Sequence, residues 1–182
     1  SQRMREIVED LLTLSRLEME RHLPEDWVEM ATMLRVLRRE ALALSQGRHR
    51  VVLEPPARLD LLGAPRDLHS AFSNLVSNAV RYTPEGGTIT IAWRRTAQGA
   101  EYSVTDTGYG IPAEHLSRLT ERFYRVSSSR TRASGGTGLG LSIVKHVLNL
   151  HEARLSIASE PGKGSRFSCS FDAARLRRAG RG

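Results

Sequence analysis

The chain has 182 residues, of which 40% are hydrophobic and 26% charged, ordinary values for a soluble globular chain with one well-cored domain and an appendage. No apolar run approaches the ~20 residues of a spanning helix, and no signal peptide is visible. The net charge of +7 invites a nucleic-acid reading, but lysine occurs only at Lys145 and Lys163 and the arginines are spread along the whole chain. No motif with interleaved aromatics accompanies them, so nucleic acid is not expected as a partner. Cys169 is the single cysteine, which rules out an internal disulfide and points to a reducing compartment. It alternates with Phe167 and Phe171 and reads as core packing.

In chain order, Met4, Ile7, Leu11 and Leu14 follow an a/d heptad that Val8, Leu12 and Leu17 widen. So broad a stripe predicts a bundle helix over residues 1–22 that lacks its partner. The chain begins inside the pattern with no N-cap, so the partner helix is expected to precede it. Leu23-Pro24-Glu25-Asp26 breaks the helix and opens a linker with a first short strand over 23–30. A helix with Met33, Leu34, Leu37 and Leu44 inward follows and ends at Gly47. Arg50 to Glu54 and Leu59 to Leu62 read as strands on either side of Pro55-Pro56.

Pro65 opens a helix to about Tyr82 with Leu68, Phe72, Leu75, Val76 and Ala79 as its core face. Thr88 to Arg95 and Ala100 to Thr105 alternate as a hairpin. Asp106-Thr107-Gly108-Tyr109-Gly110 leaves the second strand, and a polar stretch over about 109–134 reads as a mobile lid. Gly135-Gly136-Thr137-Gly138-Leu139-Gly140-Leu141 then enters a helix to Leu150. Arg154 to Ser159 and Ser165 to Phe171 are two further strands, and residues 173–182 form a basic tail expected to be disordered. The sum is an α/β (α+β) two-layer sandwich, with helices on one face of a mixed sheet and one bundle helix in front.

Two glycine turns, one leaving a strand and one entering a helix, bring backbone N–H groups against a polyanion. The helix between Pro65 and Tyr82 has a second, polar face: Asn74 and Asn78 stand one turn apart and Arg81 follows three residues on. Buried amides need partners, and hydrated Mg²⁺ supplies one because it accepts an amide oxygen and keeps water and phosphate for the rest. Arg81 can meet phosphate, and Tyr82 offers a flat face to a base. Taken singly, the asparagines also fit a solvated or capping pair, and Asp106 also fits a structural turn aspartate. The carboxylate of Asp106 can equally accept the exocyclic amine of adenine, which guanine lacks. The 135–140 box is not a Walker P-loop, since no Gly-Lys-Ser/Thr follows it.

As a set these stretches are far more specific. Asn74-Leu-Val-Ser-Asn78-Ala-Val-Arg-Tyr-Thr83-Pro84, Asp106-Thr-Gly-Tyr-Gly-Ile-Pro112, Arg122-Phe-Tyr-Arg125 and Gly136-Thr-Gly-Leu-Gly-Leu141 closely resemble, in order, the N, G1, F and G2 boxes of the ATP-binding catalytic domain of bacterial sensor histidine kinases. Ser1 to Glu20 resembles the second helix of that family's dimerisation and phosphotransfer hairpin, and Gly162-Lys-Gly-Ser-Arg-Phe167 its closing turn and strand. Leu119 to Val126 and Ile143 to His151 look most like the phosphate-regulon sensors of the family.

The resemblance implies a catalytic domain over 31–172 that binds ATP and Mg²⁺, of the fold shared with gyrase and heat-shock-chaperone ATPases. Asn78 would be the metal ligand, with Asn74 beside the phosphates and Arg81 on them. Tyr82 would pack against the adenine and Asp106 would bind its amine, Ile111 and Ser165 would also be nucleotide-binding, and Gly108 and Gly110 would let the chain pass close. Phe123 would anchor the lid, Gly136, Gly138 and Gly140 would cradle phosphates at the helix start, and Thr137 and Leu139 between them would also be nucleotide-binding. Arg125 and Arg130, with Asn74, would serve the transfer itself. Ser127 and Thr107 depart mildly from the family pattern without removing an assigned donor or acceptor.

Gyrase-like members hydrolyse ATP with a glutamate one turn before the metal-binding asparagine. Asn74 stands there, and an amide cannot take a proton from water. Transfer of the γ-phosphoryl to a histidine is therefore favoured, with relay to a response-regulator receiver domain. The acceptor would sit on a hairpin domain in a full-length protein that is a homodimer, with this domain cytoplasmic and the whole anchored in the inner membrane. None of His22, His49, His69, His115, His146 and His151 has the acceptor context, and His146 and His151 read as surface or packing residues. An ATP-hydrolysing gyrase- or chaperone-like domain remains the enzymatic alternative, and a basic nucleic-acid module the non-enzymatic one.

Overall fold

The computed structural model describes residues 2–20, 25–126 and 136–180. The first helix, α1 (Gln2–Met19), is followed by β1 (Asp26–Val28), α2 (Met30–Ser45), β2 (Arg50–Leu53) and β3 (Leu59–Gly63). Then come α3 (Pro65–Tyr82), β4 (Thr88–Arg95), β5 (Gly99–Asp106) and the one-turn helix α4 (Ala113–Leu116). After the lid, α5 (Gly140–Leu150), β6 (Arg154–Glu160), β7 (Gly164–Asp172), a 3₁₀ turn (Ala173–Arg175) and β8 (Leu176–Arg178) complete the chain.

The large sheet has the order β2-β4-β5-β7-β6, with β2 parallel to β4 and the other pairs antiparallel. The alternation along β4 and β5 predicts their antiparallel hairpin, and the sheet as a whole is mixed, as the sum of the elements predicts. Helices α2, α3 and α5 cover it, and α3 sits between the other two. Phe72 of α3 stacks on Tyr102 of β5 at 4.1 Å between ring centroids, and the Tyr102 hydroxyl donates to the Phe72 carbonyl at 3.1 Å. Trp93, fully buried, spends its indole N–H on the Leu59 carbonyl at 3.0 Å. Aromatic bodies thus fill the layer while each polar tip is satisfied, the condition for burying Tyr and Trp.

Three features differ from the sequence reading. The strands flanking Pro55-Pro56 enter different sheets: β2 joins the large one, and β3 is the centre of a second sheet ordered β1-β3-β8. The tail expected to be disordered from residue 173 is structured as far as Arg178. A central strand needs a partner on both edges, and β8 supplies the second one to β3. Arginines pin it: Arg175 donates to Glu25 at 2.8 Å and to the Leu62 carbonyl at 3.2 Å. Arg177 reaches the buried Asp60 at 3.4 Å and lies 4.6 Å over the Trp27 ring. Because β1 and β8 pair with β3, this folded unit extends beyond 31–172 at both ends.

The stripe of α1 is also divided. Leu14 and Leu17 are buried in the same core as α5, whereas Met4, Val8 and Leu12 are exposed. Part of the face read as lacking a partner therefore has one within the chain.

Candidate functional site

The two faces of α3 follow from its sequence. Leu68, Phe72, Leu75, Val76 and Ala79 face the sheet, which turns Asn74, Asn78 and Arg81 toward a cavity of about 340 Å³. The Nδ2 group of Asn74 donates to the Ser70 carbonyl one turn back at 2.8 Å, leaving its oxygen turned toward α5. The Asn78 oxygen accepts from Nη1 of Arg81 at 3.2 Å. Among the described residues no group of three or more His, Cys, Asp or Glu could hold a metal ion. The oxygens that α3 offers here are amides, and an amide oxygen fits Mg²⁺ when phosphates and water complete its shell.

At the far end, β5 carries Asp106 to the cavity wall, where it is 6% exposed. Its carboxyl lies above the ordinary aspartate value because burial disfavours the charge, and backbone hydrogen bonds from Gly108 and Ser165 offset part of that effect. The Gly108 N–H donates to Oδ1 at 2.8 Å. Beside it, the Ser159 hydroxyl donates to the Gly164 carbonyl at 3.0 Å and accepts from the Ile111 N–H at 2.8 Å. With the Ser159 proton so committed, the Ser165 hydroxyl 2.7 Å away is the donor of that pair. Ser165 thus presents lone pairs to the cavity next to a buried carboxylate. One acidic acceptor between small polar groups suits an exocyclic amine on a flat base.

The glycines allow close passage at both ends. Gly110 has φ +74°, and a Cβ there would lie 1.9 Å from the Glu160 carbonyl oxygen. The 106–110 turn can therefore lie against the turn between β6 and β7, where the Gly162 N–H donates to the Tyr109 carbonyl at 2.7 Å. At the other end, a Cβ on Gly140 would meet the Asn74 oxygen at 2.6 Å. Glycine at this position brings the N-terminus of α5 onto the polar face of α3, and its unpaired N–H groups and dipole favour an anion. The lid is tied in through the backbone: the Phe123 N–H donates to the Gly138 carbonyl at 2.8 Å, and the Ser142 hydroxyl to the Thr120 carbonyl at 2.8 Å.

Of the residues singled out from the sequence, Asn74, Asn78, Arg81, Tyr82, Asp106, Gly110, Ile111, Arg125, Gly136, Thr137, Gly138, Gly140 and Ser165 line this one cavity. Three do not. Gly108 donates to Asp106 without lining the cavity, the Leu139 side chain is buried in the core, and Phe123 lies outside the lining and is 53% exposed. Phe123 has φ +61°, and it meets the 136–140 turn through the backbone bond to Gly138. Arg130 and the 127–135 part of the lid lie outside the described residues. The sequence reading did not place Glu6, Glu9 and Asp10 of α1, nor Leu119 and Tyr124 of the lid, at the cavity. The alternation of acid and apolar residues in α1 carried that signal only once the docked face was known.

Residues 63–175 match the family model described as histidine kinase-, DNA gyrase B- and HSP90-like ATPase. The chain belongs to this family. A curated relative, the phosphate regulon sensor protein PhoR of Pseudomonas aeruginosa, is 52% identical over 182 residues, covering 98% of this chain and 41% of the relative. The sensor-like histidine kinase SenX3 of Mycolicibacterium smegmatis is 38% identical over 173 residues, covering 94% of this chain and 45% of the relative. The chain thus spans less than half the length of these curated relatives. Among solved structures, the mycobacterial sensor histidine kinase MprB superposes with a TM-score of 0.69 at 27% identity, covering 81% of this chain and 97% of that one. MprB thus shares the fold in which the cavity described above lies.

Proposed function

We propose that the chain is the ATP-binding catalytic domain of a sensor histidine kinase. It transfers the γ-phosphoryl of Mg-ATP to a histidine on a hairpin domain for relay to a response-regulator aspartate, in a phosphate-starvation pathway. The observation that carries this reading is Asn74. It stands one turn before Asn78, where hydrolytic members of the family hold a glutamate, and its amide is bonded to the Ser70 carbonyl. α3 therefore has no base there to activate water, and the position serves geometry instead.

Each group has a task that its surroundings support. Asp106 accepts the adenine amine, and Ser165 and Tyr82 bound the base. Arg81 and Arg125 neutralise phosphate charge, and the N-terminus of α5, opened by Gly140, receives phosphate oxygens. Asn78 would hold Mg²⁺, which would supply further charge neutralisation on the phosphates. The lid, with Arg130, closes over the triphosphate and excludes water. In the whole protein the hairpin makes a homodimer, and membrane-anchored segments carry the signal while this domain faces cytoplasmic ATP.

The test is phosphoryl transfer between separate proteins. Incubated with labelled ATP and Mg²⁺, the chain should phosphorylate a hairpin domain carrying the acceptor histidine and give acid-labile phosphate on it. Steady release of free phosphate without transfer would favour the hydrolytic reading instead.

A further inference from the structure

α1 does more than pack beside the cavity, because its acidic edge lines the phosphate half. Oδ2 of Asp10 accepts the Thr137 hydroxyl proton at 2.6 Å. That hydroxyl already accepts from the Leu139 N–H at 3.1 Å, so its only proton is committed to Asp10. Glu6 and Glu9 line the same cavity as Arg81 and Gly136. The Asp10 carboxyl is half-buried, and Arg81 attracts it while Glu6 and Glu9 repel it. The helix is fixed by its C-terminal half: Arg16 bonds the buried Asp67 of α3 at 2.5 Å, Glu18 pairs with Arg122 of the lid, and Leu14 and Leu17 are buried.

We propose that α1 is an inhibitory strap whose Asp10 and neighbouring glutamates compete with the nucleotide phosphates for the Thr137 and Arg81 corner. The inference rests on the proposed ATP site. Carboxylates in a partly buried corner repel a polyphosphate more strongly than they would in water. Docked α1 therefore lowers triphosphate affinity, and by linkage a bound triphosphate weakens the docking by the same factor. The competition acts on phosphate charge, so the affinity of adenosine, which carries no phosphate, does not depend on it. A signal that turns α1 about its Leu14 and Leu17 anchor thus sets nucleotide affinity directly.

Calorimetry on the full chain with a non-hydrolysable Mg-ATP analogue and with adenosine tests this. Asp10→Asn, and Asp10→Asn combined with Glu6→Gln and Glu9→Gln, should bind the analogue about ten-fold more tightly, with adenosine affinity unchanged. Hydrogen exchange over residues 2–19 should speed up when the analogue is added to the wild type. Folded variants with wild-type affinity for the analogue, or α1 exchange that slows on binding, would overturn the strap and leave the nucleotide site standing. A wild type that binds no adenine nucleotide would overturn both.

Discussion

The Asn78 oxygen and the Arg81 guanidinium satisfy one another across one turn of α3, at 3.2 Å. Each is the group that the proposed function needs elsewhere, the oxygen on Mg²⁺ and the guanidinium on phosphate. Ligand binding at this face is therefore an exchange of partners rather than the burial of bare polar groups. Asn78→Ala should abolish the Mg²⁺-dependent gain in ATP affinity in a protein with wild-type circular dichroism. An unchanged Mg²⁺ effect in titration calorimetry would move the metal role to another residue.

Asp106 is an acceptor held in place by backbone N–H groups, so its oxygens are oriented before any base arrives. The chain should bind ATP and ADP more tightly than GTP. Asp106→Asn puts a donor against the adenine amine and should lower ADP affinity by about ten-fold to a hundred-fold, the usual effect of an unpaired buried polar group. Equal binding of ATP and GTP by the wild type would refute the assignment.

Gly110→Ala combines a left-handed backbone with a side chain 1.9 Å from the Glu160 carbonyl oxygen. Backbone cannot yield as the end of a flexible side chain does, so the 106–110 turn must shift away from the β6–β7 turn. We expect a loss of about 2–4 kcal/mol in urea denaturation together with weakened nucleotide binding, because Asp106 begins that turn. A variant with wild-type stability would mean the two turns are not packed as described.

His151 is fully buried; its Nε2 accepts from the Ala64 N–H at 3.0 Å, and its Nδ1–H donates to the Val147 carbonyl at 2.7 Å. The neutral ring joins α5 to the start of α3. Burial is the main reason its pKa lies below the ordinary 6.5. A lowered folded value means the unfolded chain takes the proton first. The His151 contribution is thus whole above pH 6.5 and is lost as pH falls from there through the folded value. Urea midpoints at pH 7.5 and 5.5 should drop for the wild type by more than for His151→Gln. Equal drops would assign the acid sensitivity to other groups.

The features legible in the sequence are those set by neighbours within a few turns of chain. The α3 period separates Leu68, Phe72 and Leu75 from Asn74 and Asn78, and burial divides the helix along the same line. The alternation in β4 and β5 carries their hairpin, whose register places Ile91 opposite Val104. The glycine turns at 106–110 and 136–140 mark the two ends of one cavity because tight backbone approach requires residues without a Cβ.

Tertiary structure alone decided the rest, since it depends on partners far along the chain. Nothing local in Leu176-Arg177-Arg178 distinguishes a disordered basic end from a strand, until β3 offers an open edge and Asp60 a buried carboxylate. His151 looked like any helix-end histidine, and its meaning comes from an N–H 87 residues away. The acidic edge of α1 is the sharpest case. Hydrophobic periodicity identifies which residues of a helix will be buried, but the charges flanking that stripe acquire a role only from what lies opposite. Here Leu14 and Leu17 choose the docking face, and that choice brings Asp10 to Thr137, 127 positions on.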